Sequence, residues 1–230
     1  MTLPYRYEVK FILNPVQHSE FSSWMSADTQ FRQSYESRRV NSLYMDDIDF
    51  GGIRDNLAGL PDRSKFRFRW YGDTSGNPEG LKFETKIRLG RVGMKKEQPL
   101  NMLKDSFSAL SVADLLPLIS EAMHNNEGNS SVPLHQLLPV LYINYQREYY
   151  EDHAGFRATI DRCVRFQSVK FSDRLVDLRG HGDSHIIAEL KFDIKQKNRA
   201  ADLMRNLHLV PKRHSKYLYG MAMTGTAIYI

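Results

Sequence analysis

Between Ser64 and Gly90 two segments, SKFRFRWYG and LKFETKIRLG, alternate charged with apolar side chains on either side of the stretch DTSGNPEG. A strand sends successive side chains to opposite faces, so Lys65, Arg67 and Arg69 share one face and Phe66, Phe68 and Trp70 the other. In the second arm Lys82, Glu84, Lys86 and Arg88 alternate with Leu81, Phe83, Thr85, Ile87 and Leu89. Asp73, Gly76, Asn77, Pro78 and Gly80 favour a turn, which predicts an antiparallel hairpin with one apolar and one cationic face. A hairpin of an ordinary sandwich satisfies the same pattern with its polar side in water. What decides between the two is recurrence elsewhere in the chain.

It recurs. Tyr5 to Leu13 puts Arg6, Glu8 and Lys10 on one face and Tyr5, Tyr7, Val9 and Phe11 on the other. PVLYINYQREYYE aligns Tyr145, Arg147 and Tyr149; GFRATIDRCVRF aligns Arg157, Thr159 and Asp161; HIIAELKFDIK sets Glu189 and Lys191 against Ala188, Leu190 and Phe192. Helices are expected after Asn14 and Pro15, over Ser106 to His124 with Ser111 and Asp114 as a capping box, over QKNRAADLMRNLHL, and over SKYLYGMAM with Ser215 as its N-cap. RRVNSLYMDD reads as a strand running into an acidic turn, where Asp46, Asp47 and Asp49 lack any EF-hand spacing and read as turn formers. His135 reads as a surface or capping residue, and NNEGNSS as a flexible loop.

At 230 residues the chain predicts a single domain, 1–230. Its 32 Lys and Arg against 27 Asp and Glu leave a net charge of +5, which favours an anionic partner. The single cysteine, Cys163, excludes an intramolecular disulfide and a thiolate cluster; it reads as a buried or half-buried strand residue in a reducing compartment. Neither a signal-peptide layout nor an apolar run of about 18 residues is found, so a soluble, cytoplasmic chain is expected.

A face carrying this many charges cannot be buried dry, because unpaired charges in low dielectric cost several kcal/mol each. Closing about eight antiparallel strands into a barrel puts the face in a wet lumen able to hold one extended ligand. The expected fold is therefore α+β, a closed eight-stranded antiparallel β-barrel with flanking helices and a C-terminal helix. With cations in excess, the lumen favours a polyanion, and guanidinium forks suit phosphate oxygens. The minority carboxylates suit a hard divalent cation that bridges those phosphates.

The ordered set YRYEVKF, SLYMDD, KFRFRWYG, FETKI, NYQREYY, RATID, AELKF and VPKRHSKYLYG resembles the VTC-type polyphosphate polymerase domain of the triphosphate tunnel metalloenzyme (CYTH-like) superfamily, over almost the whole chain. The resemblance implies a tunnel that uses ATP and Mn2+ or Mg2+ to extend inorganic polyphosphate with the γ-phosphate. It implies Lys10, Arg67, Arg69, Lys86 and Arg147 as catalytic and phosphate-binding residues, with Lys65, Lys96 (or its neighbour Lys95), Arg157, Lys212 and Lys216 also binding phosphate, and Glu189 and Glu8 as metal ligands. One position departs from the superfamily's hydrolases, which open with E-x-E-x-K: Arg6 makes it R-x-E-x-K. Loss of that acid weakens a second metal site and leans toward polymerisation. ATP, polyphosphate and pyrophosphate are the implied partners, with no nucleic acid. In eukaryotic complexes of this family the domain is attached to membrane segments; here a separate membrane partner is the open possibility. The competing readings are a metal-dependent tripolyphosphatase or nucleoside triphosphatase on the same scaffold, and a non-catalytic polyphosphate-binding domain.

Overall fold

Strand β1 (Arg6–Leu13) ends at Asn14, whose Oδ1 accepts from the Gln17 N–H at 2.9 Å while Gln17 Oε1 accepts from the Asn14 N–H at 3.1 Å. With Pro15 at the first helical position, this capping box starts α1 (Pro15–Ala27). Then follow β2 (Arg32–Asp46), α2 (Gly51–Leu57), β3 (Asp62–Tyr71), β4 (Glu79–Leu89), β5 (Val92–Pro99), α3 (Leu115–His124), β6 (Leu138–Glu151), β7 (Arg157–Ser168), β8 (His181–Gly182), β9 (Ile186–Asp193), α4 (Lys197–Met204) and α5 (Lys216–Met223). This computed structural model describes residues 5–27, 30–73, 78–100, 107, 109–124 and 136–226. The expectations for His135, for NNEGNSS and for a helix beginning at Ser106 lie outside them; α3 starts nine residues further on, behind Asp114, whose Oδ2 accepts from the Ser111 hydroxyl at 2.7 Å and from the Ser111 N–H at 2.8 Å, the carboxylate half of the predicted capping box.

The strands form one antiparallel sheet in the order β6-β2-β3-β4-β5-β1-β9-β7-β8, and β6 also pairs with β7. That last pairing returns the sheet on itself, so eight strands make a ring and the two-residue β8 hangs on β7. The β3–β4 hairpin runs in register from Asp62↔Leu89 to Arg69↔Lys82, which puts Arg67 opposite Glu84 and Lys65 opposite Lys86. The joints are unequal. β1 pairs with β9 along its whole length, Arg6↔Asp193 to Leu13↔Ile186, but with β5 only at Arg6↔Gly93. Further along β1 the Lys10 carbonyl receives the Lys212 N–H at 2.8 Å from the segment ahead of α5.

Three apolar clusters fix the ring. The outward faces of β3, β4 and β6 supply Phe66, Phe68, Trp70, Phe83 and Tyr142, which pack with Phe107, Val112 and Leu115. On the opposite side, Phe11, Leu13, Ala188 and Leu190 pack with Phe21, Trp24 and Met25 of α1 and Ala200 of α4. In the third cluster Tyr217 and Met221 of α5 are buried with Tyr44, Leu141, Ile143, Tyr145 and Ile187, positions that share a face with the charged residues. The last helix therefore does more than flank the sheet: it covers part of its interior. Gly220 makes the approach possible, since a Cβ there would sit 2.4 Å from the Phe166 ring.

Cys163 is a correction. Between Asn144↔Arg165 and Gln146↔Arg162 the β6–β7 register shifts, and Cys163 sits in that irregularity with φ of 52° and an exposed side chain. The bulge breaks the alternation that had assigned it to a buried face. No helix among the described residues is long and apolar enough to cross a membrane.

Candidate active site: the interior of the ring

Alternation on eight strands turns the charged positions inward, where they meet in three groups. The first surrounds Glu84, which is fully buried. Arg67 Nε lies 2.5 Å from Glu84 Oε2 and its Nη1 donates to the Tyr44 hydroxyl at 2.9 Å. Arg69 lies 3.5 Å from the same carboxylate oxygen and donates to Ser42 Oγ and to the Tyr145 hydroxyl at 3.0 Å. Lys82 and Lys95 lie 3.5 and 3.3 Å from Glu84 Oε1. Burial pushes the Glu84 carboxyl up, but Arg67, Arg69 and Lys95 outweigh it and hold its pKa far below the carboxylate range. Every acceptor direction of this glutamate is engaged, so it orients the guanidinium groups.

The second group is Asp161, which takes two hydrogen bonds from Arg147 at 2.6 and 2.8 Å and one from Lys216 Nζ at 2.5 Å. Burial again raises the carboxyl and the two cations more than offset it. Lys216 opens α5, so this contact ties the interior helix to β6 and β7.

The third group holds two carboxylates of separate strands. Lys86 reaches Glu8 Oε2 at 2.6 Å and Arg6 lies 3.7 Å from Glu8 Oε1; Lys191 reaches Glu189 Oε2 at 3.0 Å and Lys10 lies 3.7 Å from Glu189 Oε1. Burial and the Glu189 charge raise the Glu8 carboxyl, yet Lys86, Lys191 and Lys10 prevail and lower it; Glu189 is lowered further, Lys191, Lys10, Lys86 and Arg147 overcoming its burial. Burial brings Lys191 down to about 8 against the pull of Glu189. Among the described residues no three His, Cys, Asp or Glu side chains are grouped to cage a metal. Two adjacent carboxylates nevertheless fit a hard divalent cation that completes its shell with the oxygens of a bound phosphate chain.

Lys65 belongs to none of these groups. Its Nζ donates to Ser215 Oγ at 2.8 Å, and burial, followed by the cations of Lys10, Lys86, Arg63 and Arg67, holds its pKa well below the lysine range.

Of the residues singled out from the sequence, Glu8, Lys10, Lys65, Arg67, Arg69, Lys86, Arg147, Glu189 and Lys216 are brought together. Three are not. Lys96 pairs with Thr85 on the opposite face, and Lys95, opposite Lys86, takes the inward position. Lys212 has an exposed side chain, its main chain being the part that meets β1. Arg157 stands exposed at the start of β7, opposite Lys191 and Glu151. The sequence reading passed over Ser42, Tyr44 and Tyr217. The first two lie at every second position with Val40 in RRVNSLYMDD, so alternation would have found them; Tyr217 is on a helix and gives no such signal. Asp46, read as a turn residue, accepts from the Gly52 and Ile53 N–H groups and from the Tyr217 hydroxyl at 2.5 Å, which anchors α5.

The VTC domain family matches residues 5–224. The chain belongs to that family. No curated protein matches it. Among solved structures, this VTC domain is similar to a Hippeastrum protein described as an adenylyl cyclase candidate with a dominant triphosphatase activity, at 11% identity and a TM-score of 0.55, over 96% of this chain and 97% of that one. It is similar to a protein of Pyrococcus horikoshii OT3 at 12% identity and a TM-score of 0.53, and to an adenylate cyclase candidate of Vibrio parahaemolyticus at 12% and 0.52. Each of those two likenesses covers 95% of this chain and 99% of the other. The shared fold is the triphosphate tunnel fold.

Proposed function

We propose that this VTC domain is an ATP-dependent polyphosphate polymerase whose reaction runs inside the ring. Lys65 carries the reading: a half-buried lysine that donates to Ser215 Oγ and has Lys86, Arg67 and Arg69 beside it on the inward face gains most from a phosphate chain lying along β3. Glu84 and Asp161 hold Arg67, Arg69 and Arg147 in fixed orientations before substrate arrives, so little reorganisation accompanies binding. Glu189 and Glu8 would hold the divalent cation, Mn2+ or Mg2+, which supplies charge neutralisation at the phosphate oxygens. The terminal oxygen of the growing chain attacks the γ-phosphorus as its bond to the β–γ bridging oxygen breaks and ADP departs, and the arginines stabilise the charge on the transferring group. No protein nucleophile is required.

Arg6 and Lys86 both neutralise Glu8, which favours chain transfer over a second cation that would orient a hydrolytic water. The triphosphatase activity ascribed to the Hippeastrum protein favours hydrolysis as the second reading. Incubation with ATP and Mn2+ or Mg2+, with products resolved by length, separates them. Long-chain polyphosphate that disappears in Arg67→Ala supports polymerisation, and orthophosphate alone supports hydrolysis. Retention of polyphosphate without turnover under any metal would make the domain a sensor.

A further inference from the structure

The two ends of β3 differ. Along its inward face the strand reads Arg63, Lys65, Arg67, Arg69, Tyr71, and β4 alongside it reads Arg88, Lys86, Glu84, Lys82. At the Arg63 end the side chains are cationic: Arg63 faces Arg88, and Arg213 stands near enough to lower the Arg63 pKa after burial and Arg88 have done so. The Tyr71 end is aromatic. The Arg38 guanidinium carbon lies 4.0 Å from the Tyr71 ring centroid and 5.2 Å from that of Tyr149, and Arg38 Nε donates to the Tyr149 hydroxyl at 3.3 Å. Lys82 lies 5.4 Å from the Tyr71 centroid, and Tyr35, 63% exposed, meets Tyr149 edge-on at 5.8 Å.

Tyr71 is two residues beyond Arg69 and Tyr149 two beyond Arg147, on the same faces, so this rung lies one strand step, about 7 Å, outside the arginines that the proposed function assigns to the triphosphate. A nucleoside triphosphate presents the same sequence of chemistry, a flat aromatic base followed by a run of phosphates. From this we infer that the rung of Arg38, Tyr71, Tyr149 and Tyr35 seats the nucleobase, and that the phosphate chain extends from there toward Arg63 and Arg88. Arg38 is placed by the Tyr71 ring beneath its guanidinium and by its hydrogen bond to the Tyr149 hydroxyl, and a guanidinium plane or a phenol stacks on any base because every base has a π-face. The site therefore accepts nucleoside triphosphates broadly, purine and pyrimidine alike.

The inference rests on the proposed reading, and one experiment tests both separately. Calorimetric binding of non-hydrolysable ATP, GTP and CTP analogues, and of inorganic tripolyphosphate, is measured on the full chain and on Arg38→Lys and Tyr149→Leu. Arg38→Lys keeps the charge and removes the plane. Each variant is expected to weaken the nucleotides about tenfold and leave tripolyphosphate within about twofold, with the three analogues similar in the parent chain. Equal losses for tripolyphosphate and nucleotides, or no loss for either, would overturn the nucleobase site while leaving the phosphate-binding interior standing. Strong preference for one base overturns the breadth. Binding of neither ligand to the parent chain removes the proposed function and this inference together.

Discussion

Lys65 and Lys191 show at single residues what gathering cations in one interior costs the fold. Lys65 is half-buried, with the charges of Lys10, Lys86, Arg63 and Arg67 acting on it. Replacing such a charge with an apolar side chain of similar length removes a desolvation penalty and a repulsion. Lys65→Met should therefore raise the thermal midpoint by a few degrees, roughly 1 kcal/mol for a chain of this size, while weakening tripolyphosphate binding by tenfold or more, about the 1.4 kcal/mol of one lost charged contact; differential scanning and isothermal calorimetry read the two effects. Lys191 offers a pH signature. Its folded pKa of about 8 lies below the ordinary lysine value, so between the two the unfolded chain binds more protons. Stability contributed at this site accordingly rises with pH above about 8, the same sign as on the acid side, where Glu84, Asp161 and Glu189 lose their pairing energy as pH falls through and below the normal carboxylate range. A metal-free triphosphate raises the Lys191 pKa, so binding near pH 8.5, between those values, should take up protons; binding enthalpies measured in buffers of different ionisation enthalpy give their number. An uptake of zero would remove Lys191 from the phosphate path.

At the scale of elements, α5 and its Ser215 cap were legible, but its seat against the inner face of the sheet was not. The hairpin, β1 and β9 were legible because Glu8/Lys10, Glu84/Lys86 and Glu189/Lys191 repeat with a strict period of two on strands whose other face is apolar. The inward apolar residues Leu141 and Ile143 look no different from outward ones in a sequence; only contact with Tyr217 and Met221 tells them apart. Phase was lost wherever the strand was interrupted. Lys95 and Lys96 follow a turn at Gly90, and a shift of one residue exchanges their faces; Cys163 lies in a bulge. Because α5 presents Gly220 to Phe166 and Leu141, Gly220→Val should displace the helix, carry Lys216 away from Asp161 and destabilise the chain by about 2 kcal/mol. Ala222→Val on the exposed side of the same helix should change stability by less than about 0.5 kcal/mol. Denaturant midpoints with turnover assays check the pair; equal effects would mean that the helix has no fixed seat.

The whole molecule concentrates like charges around one axis, so its stability should depend on what fills that axis. Tripolyphosphate at a hundred times its dissociation constant is expected to stabilise the fold by about 2.7 kcal/mol, and a nucleic acid of equal charge by much less. A thermal-shift series with both polyanions checks this; equal shifts would point to binding on the outer surface. The joint between β5 and β1 has a further consequence. A hoop whose staves are laced together all round except at one joint is mechanically a clasp, and here Glu8 of β1 reaches past β5 to Lys86 of β4 where the main-chain lacing has run out. Dissolved salt loosens such a clasp and leaves the laced staves alone, so amide protons flanking Gly93 should exchange before any others in the sheet, and sooner in brine than in dilute buffer.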